Sequence, residues 1–149
     1  TILQALTLLN KNEIVSELDL CDEMNEELKN IIEDAWENRQ ALMTLSTVDK
    51  EARPNSIWIL CAKLIDDSRI SIANNAMAKT LDNITQGSHG SLLIIAPERE
   101  AYQIKGRLEH FSDGPYYDEM KAWLDPKFPG KGAVNLHIEE IYYGAEKVF

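Results

Sequence analysis

The chain has 149 residues, 44% of them hydrophobic, and a formal net charge of −10. That length suits one domain around one core, and so acidic a chain lacks the cationic surface that non-specific nucleic-acid binding or docking on anionic membranes needs. No run of about 18 apolar residues is present to cross a bilayer; two distant cysteines, Cys21 and Cys61, with no C-x-x-C pair, fit a reduced, cytoplasmic protein rather than a disulfide framework.

Thr1-Ile2-Leu3-Gln4 is not a charged region leading into a long apolar stretch, so no signal peptide is expected. Ile2, Leu3, Leu6 and Leu9 recur at helical spacing and predict a short helix that Asn10-Lys11-Asn12 ends. A second helix is better defined. Leu28, Ile31, Ile32, Ala35 and Trp36 share one face, Asn25 can cap its start, and Glu26 and Glu27 occupy the favourable first turn. After Arg39 the pattern turns to strands: Ala41 to Thr47, a turn over Asp49 to Pro54, a long strand over Asn55 to Ile65, and, after Asp66-Asp67-Ser68, Arg69 to Ala73. Asn74-Asn75 ends that strand, and Met77, Leu81 and Ile84 predict a short helix closed by Gly87. Strands over Gly90 to Ala96 and Ala101 to Phe111 follow, then a helix over Tyr116 to Leu124, a loop over Asp125 to Gly132, and a last strand over Ala133 to Tyr143. In that strand Val134, Leu136 and Ile138 alternate with Asn135, His137 and Glu139, which predicts one wet face. The expectation is one domain over residues 1–149, with N-terminal helices over 1–39 and a barrel over 40–145. Its class is mainly β with α: a six-stranded antiparallel split β-barrel with short peripheral helices and an N-terminal helical segment.

The most informative local feature is the junction Asn74-Asn75-Ala76-Met77-Ala78-Lys79-Thr80, between a strand and a helix. Open amides at a helix start, a full charge on Lys79 and a hydroxyl on Thr80 suit an anion such as a phosphate; a surface Lys beside a cap-like Thr is the plainer alternative. At the head of the long strand, Ser56 offers a donor and Trp58 a flat apolar surface, although a strand Trp is more often core. Gln103 carries both donor and acceptor for the edge of a heterocycle, or faces solvent. Cys61, inside an apolar run, is expected to be a buried structural thiol. His89, His110 and His137 have no metal-ligand spacing, and there is no P-loop, G-x-G-x-x-G or G-x-S-x-G. The acidic stretch from Glu13 to Glu37 and the pair Glu139-Glu140 read as solvated faces.

In order, Ala41-Leu42-Met43-Thr44-Leu45-Ser46-Thr47, Ala52-Arg53-Pro54-Asn55, Ile72-Ala73-Asn74-Asn75-Ala76-Met77-Ala78-Lys79-Thr80-Leu81-Asp82-Asn83-Ile84, Tyr102-Gln103-Ile104-Lys105-Gly106, Asp113-Gly114-Pro115 and Ile138-Glu139-Glu140-Ile141-Tyr142 resemble the pyridoxamine 5′-phosphate oxidase-like, FMN-binding split-barrel family. The likeness spans roughly Leu28 to Tyr143 and is greatest to the short FMN-binding proteins. It implies a homodimer with two FMN sites at the subunit interface. It implies that Lys79, Thr80 and Ser56 bind the phosphate, that Ile57 and Trp58 lie along the ring system, that Asn74 and Asn75 take the ring or ribityl side, and that Gln103 contacts the ring. A residue from the partner's loop, Trp123 to Lys131, would cover the flavin. The long strand carries Lys63 alone where the vitamin B6 oxidases have an Arg and a Lys, and the terminal Lys147-Val148-Phe149 is not their Arg-x-His segment; true pyridoxamine-phosphate oxidase activity is therefore not expected. The resemblance implies an FMN-dependent oxidoreductase on a small molecule, with NAD(P)H or a redox protein as partner. An FMN-based electron carrier or redox sensor is the alternative, and a ligand-storage or interaction module the third.

Overall fold

In the computed structural model, which describes residues 24–149, the chain enters through α1 (Glu26–Asn38). The predicted helix over Ile2 to Leu9, and Cys21, lie outside the described residues. Asn25 caps α1, its Oδ1 accepting the Leu28 N–H at 2.9 Å, which satisfies one of the amides a helix start leaves open. Leu28, Ile32, Ala35 and Trp36 bury the predicted face in the main core, each of the larger side chains worth about 1.5–3 kcal/mol of burial. Arg39 then turns back, its guanidinium 4.0 Å from the Trp36 ring centre.

Eight strands follow: β1 (Met43–Val48), β2 (Pro54–Ile59), β3 (Ala62–Leu64), β4 (Arg69–Asn74), β5 (His89–Ala96), β6 (Glu100–Phe111), β7 (Gly132–Tyr143) and β8 (Glu146–Lys147). The helix α2 (Lys79–Thr85) separates β4 from β5, and α3 (Pro115–Trp123) separates β6 from β7. Every pairing is antiparallel, in the order β2-β1-β5-β6-β7-β4-β3, with β8 on the side of β7. This is the expected split barrel, with its strand count corrected from six. The long strand over Asn55 to Ile65 is broken at Leu60-Cys61, and β8 is an added short return. β2 pairs with β1, whereas β3 pairs with β4 at the other end of the sheet. At the break, the Cys61 carbonyl accepts the Ala73 N–H at 2.9 Å. The chain itself thus ties the two ends of the sheet together, which curls it into a barrel and shortens its exposed edges.

Strand alternation sorts residues into an inner and an outer face. Met43, Leu45, Ile70, Ile72, Leu92, Ile94, Tyr102, Ile104, Leu136 and Ile141 fill the interior. The predicted wet face of β7 needs correction. Ala133 and Asn135 are fully buried, because α3 packs on the outside of β4 and β7 and brings Met120 and Leu124 onto Cys61, Ala73 and Ala133. A bidentate pair from Arg69 to Glu119 (2.7 and 3.0 Å) and a bond from Trp123 Nε1 to Ser71 Oγ (3.2 Å) hold α3 in place. Midway along the β6–β7 ladder, Lys105 faces Glu140 and Gly106 faces Ile138, leaving Glu139 as a bulge. Gly106 is required there, since a Cβ would drive into the His137 carbonyl.

Candidate cofactor cleft

β2 ends the sheet, so one of its edges carries no strand partner among the described residues. Opposite that edge, β4 hands over to α2 through Asn75 to Ala78. The seam between them is a cleft of about 450 Å³, lined by Asn55 and Ile57 to Cys61 on one side and by Ala73 and Asn75 to Thr80 on the other. Its polarity is graded. Asn55, Lys79 and Thr80 make one end polar, whereas Ile57, Trp58, Ile59, Leu60, Ala76 and Met77, interrupted by Asn75, make the rest largely apolar. At the polar end it borders a second groove of about 500 Å³ that shares Asn55 and Lys79.

The polar end is built on fixed backbone. Thr80 is 1% exposed, and its Oγ1 accepts from Asn55 Nδ2 at 3.1 Å. Asn83, one turn on, donates to Thr47 Oγ1 at 3.0 Å in the interior and anchors α2 to β1. The start of α2 at Ala78 has no side-chain cap, so its first-turn amides stay available as donors. With seven residues, α2 supplies local N–H groups more than a long macrodipole. Lys79 is exposed, and among the described residues it forms no ion pair.

The structure brings together Ile57, Trp58, Asn75, Lys79 and Thr80 of the residues singled out in the sequence. It does not bring the other three. Ser56 points to the outer face, its Oγ 2.8 Å from Ser46 Oγ. Asn74 is 3% exposed, lies outside the cleft wall and is occupied by internal hydrogen bonds. Gln103 sits in an outer-face row running Trp58, Thr44, Leu93, Gln103, Tyr142 across β2, β1, β5, β6 and β7. Three strand spacings, about 14 Å, separate it from Trp58 in the same chain. Asn75 lines the cleft while its Oδ1 accepts the Gly130 N–H at 3.0 Å, tying down the loop before β7. Trp58, against the ordinary expectation for a strand Trp, is 75% exposed at the lip. Cys61 is a free, buried thiol as expected, and it also lines the apolar end. The wall also contains residues that the sequence reading did not assign to the site, Asn55, Leu60 and Met77 among them. Alternation would have found Asn55, which shares a face with Ile57 rather than with Ser56.

An antiparallel barrel split by a strand-to-helix crossover, with an apolar cleft that ends in a lysine and a threonine, is the pyridoxamine 5′-phosphate oxidase-like split barrel. The chain belongs to the pyridoxamine 5′-phosphate oxidase family, whose sequence profile matches residues 24–144. It is 32% identical over 106 residues to the uncharacterized protein MJ0282 of Methanocaldococcus jannaschii, covering 68% of this chain and 71% of that one. Among solved structures it is similar to HupZ of Group A Streptococcus, with a TM-score of 0.66 and 25% identity over 81% of this chain and 94% of that one. It is also similar to an FMN-binding protein of Syntrophomonas wolfei subsp. wolfei, with a TM-score of 0.58 and 25% identity over 80% of this chain and 87% of that one.

Proposed function

We propose that the cleft holds FMN and that the protein is an FMN-dependent oxidoreductase acting on a small molecule. The observation that carries this reading is the grading of the cleft. A lysine without a carboxylate partner among the described residues, a threonine hydroxyl and open amides stand at one end, and an apolar wall of Ile57, Trp58 and Met77 continues from them. FMN has the same two-part chemistry: a dianionic phosphate and a largely apolar ring. The volume of about 450 Å³ is within the range of cofactor sites. When bound, FMN supplies the electron chemistry, and the protein supplies position and electrostatics. Lys79 and Thr80 bind the phosphate in this reading, Ile57 and Trp58 flank the ring, and Asn75 lies toward the ring or ribityl chain.

The same reading makes the protein a homodimer. Leu42, Val48, Trp58, Leu60 and Leu93 are large apolar side chains left exposed around β1, β2 and β5, a grouping that marks an interaction face. A second copy on that face would cover the lip at Trp58 and supply the wall the cleft lacks, with Gln103 and the loop from Trp123 to Lys131 as contributors. Leu93→Asp should shift the protein toward monomer in analytical ultracentrifugation and weaken flavin binding; a dimer that withstands the change would rule out this face. Two distant cysteines with no C-x-x-C pair support a reducing, cytoplasmic setting, and no helix among the described residues is long and apolar enough to cross a membrane.

The test is an absorption spectrum of the purified protein, titration with FMN, then anaerobic mixing with NADH and NADPH. Flavin absorbance with bleaching by a reduced nicotinamide supports the oxidoreductase. Flavin that only a redox protein can reduce identifies an electron carrier. A protein that neither carries nor takes up FMN ends the proposal.

A further inference from the structure

The amide of Asn74 is fixed at both ends. Its Oδ1 accepts the Met77 N–H at 2.9 Å, so the Nδ2 end is the one turned toward His110, whose Nε2 lies 3.3 Å away. An amide NH₂ only donates. His110 Nε2 must therefore accept, which places the imidazole proton on Nδ1 and makes the ring neutral. The ring occupies the space beside residue 132 that a side chain would need: a Cβ on Gly132 would collide with Nε2. The Asn74 carbonyl accepts the Lys131 N–H at 2.8 Å, so the same residue also ties in the loop before β7. Burial pushes the His110 pKa below its ordinary value, favouring the neutral form. Burial is the cause of that shift; the charged groups of its own strand (Lys105, Arg107, Glu109) and of the elements packed there, Arg69 of β4, Lys79 and Asp82 of α2, Glu119 and Lys121 of α3 and His137, Glu139 and Glu140 of β7, are not among its causes, nor are Lys131 before β7 and Asp113 before α3.

We infer that His110 is a positioning residue for the cleft: through the Asn74 amide, the neutral imidazole holds the Met77 N–H and with it the crossover from Ala76 to Ala78 that forms the wall opposite Ile57 and Trp58. The inference rests on the reading of this cleft as the flavin site. Protonation of His110 sets an N–H against the Asn74 NH₂. The amide then has to rotate or withdraw, and either motion releases Met77. The cleft wall is therefore held at neutral pH and loosened in acid by a residue that does not touch the ligand.

The test compares the wild type with His110→Gln, whose Oε1 can still accept, and His110→Leu, which has no acceptor. Two quantities are read at pH 7.5 and pH 5.5: the hydrogen-exchange protection factor of the Met77 amide in the free protein, and the affinity for riboflavin, which has no phosphate to titrate. In the wild type both should fall in acid, by about tenfold, the worth of one hydrogen bond. His110→Gln should keep both at either pH, and His110→Leu should be low at both. A His110→Leu protein with wild-type protection and affinity at pH 7.5 overturns the inference. So does a wild-type pH dependence that survives in His110→Gln. If no form takes up flavin, the FMN reading fails, and the Met77 protection factors still decide whether His110 holds the wall.

Discussion

Replacing Lys79 by alanine separates the phosphate reading from every structural role the residue could have. Lys79 is the first residue of α2, exposed and without an ion-pair partner among the described residues. Its loss should leave the ligand-free fold within about 0.5 kcal/mol of the wild type, because alanine suits a helix and no packing is removed. Against a phosphate the same change removes one charge-assisted hydrogen bond, worth about 1.5–3 kcal/mol, or about a 10- to 150-fold rise in Kd at 1.4 kcal/mol per decade. Riboflavin lacks the phosphate and shares the ring, so its affinity should not change. Calorimetric titration of both ligands into both proteins at about 0.1 M salt reads the difference. Raising the salt should weaken FMN binding in the wild type more than in the variant, since screening acts on the charge that was removed. FMN affinity equal to the wild type, or an equal loss for riboflavin and FMN, would refute the assignment of Lys79 to the phosphate.

Three predictions concern the scaffold that shapes the cleft. Gly106→Ala should destabilise the protein by about 2–3 kcal/mol or more, because the new Cβ has to displace the His137 backbone at the bulge; an unchanged urea midpoint would contradict it. Ala52 holds φ +61° in the turn that Asp49 brackets, accepting the Glu51 and Arg53 amides at 2.9 Å each. Ala52→Gly should therefore change stability by between zero and about +1 kcal/mol, relief of the left-handed backbone being offset by the freer unfolded chain; a clear fall in Tm would count against that account. Hydrogen bonds from Arg69 hold the Glu119 carboxyl below its ordinary pKa of 4.5. Its folded pKa is the lower one, so this contribution is complete above about pH 4.5 and is lost as the pH falls through the folded value. In Glu119→Gln the fall in urea midpoint between pH 6 and pH 3 should be shallower than in the wild type, with a remainder from Glu109, which Arg107 and His137 lower in the same sense. Identical slopes would show that the pair contributes nothing.

The parts legible in the sequence are those set by neighbours along the chain. Leu28, Ile32, Ala35 and Trp36 recur at the helical period, and α1 buries those side chains. The Lys79-Thr80 step after Asn74-Asn75 is a strand-to-helix junction whatever surrounds it, and it became the polar end of the cleft. What alternation leaves open is which of two faces turns inward. Ser56 and Trp58 share one parity, Asn55 and Ile57 the other. Only pairing with β1, whose Met43 and Leu45 fill the core, sends Asn55 and Ile57 inward and leaves Trp58 in the open.

Local chemistry thus determined α1, α2 and α3, most of the strands and the anion-ready junction, because hydrogen bonds and side-chain periodicity act over a few residues. Tertiary structure alone decided that the long strand breaks at Leu60-Cys61, that α3 dries the outer face of β7, that Gln103 stands three strands from Trp58, and that His110 meets Asn74 from 36 positions away. Each of these is a contact between segments remote in sequence. Its energy depends on which surface the rest of the chain presents, and that is specified only once the barrel has curled and the two ends of its sheet have met.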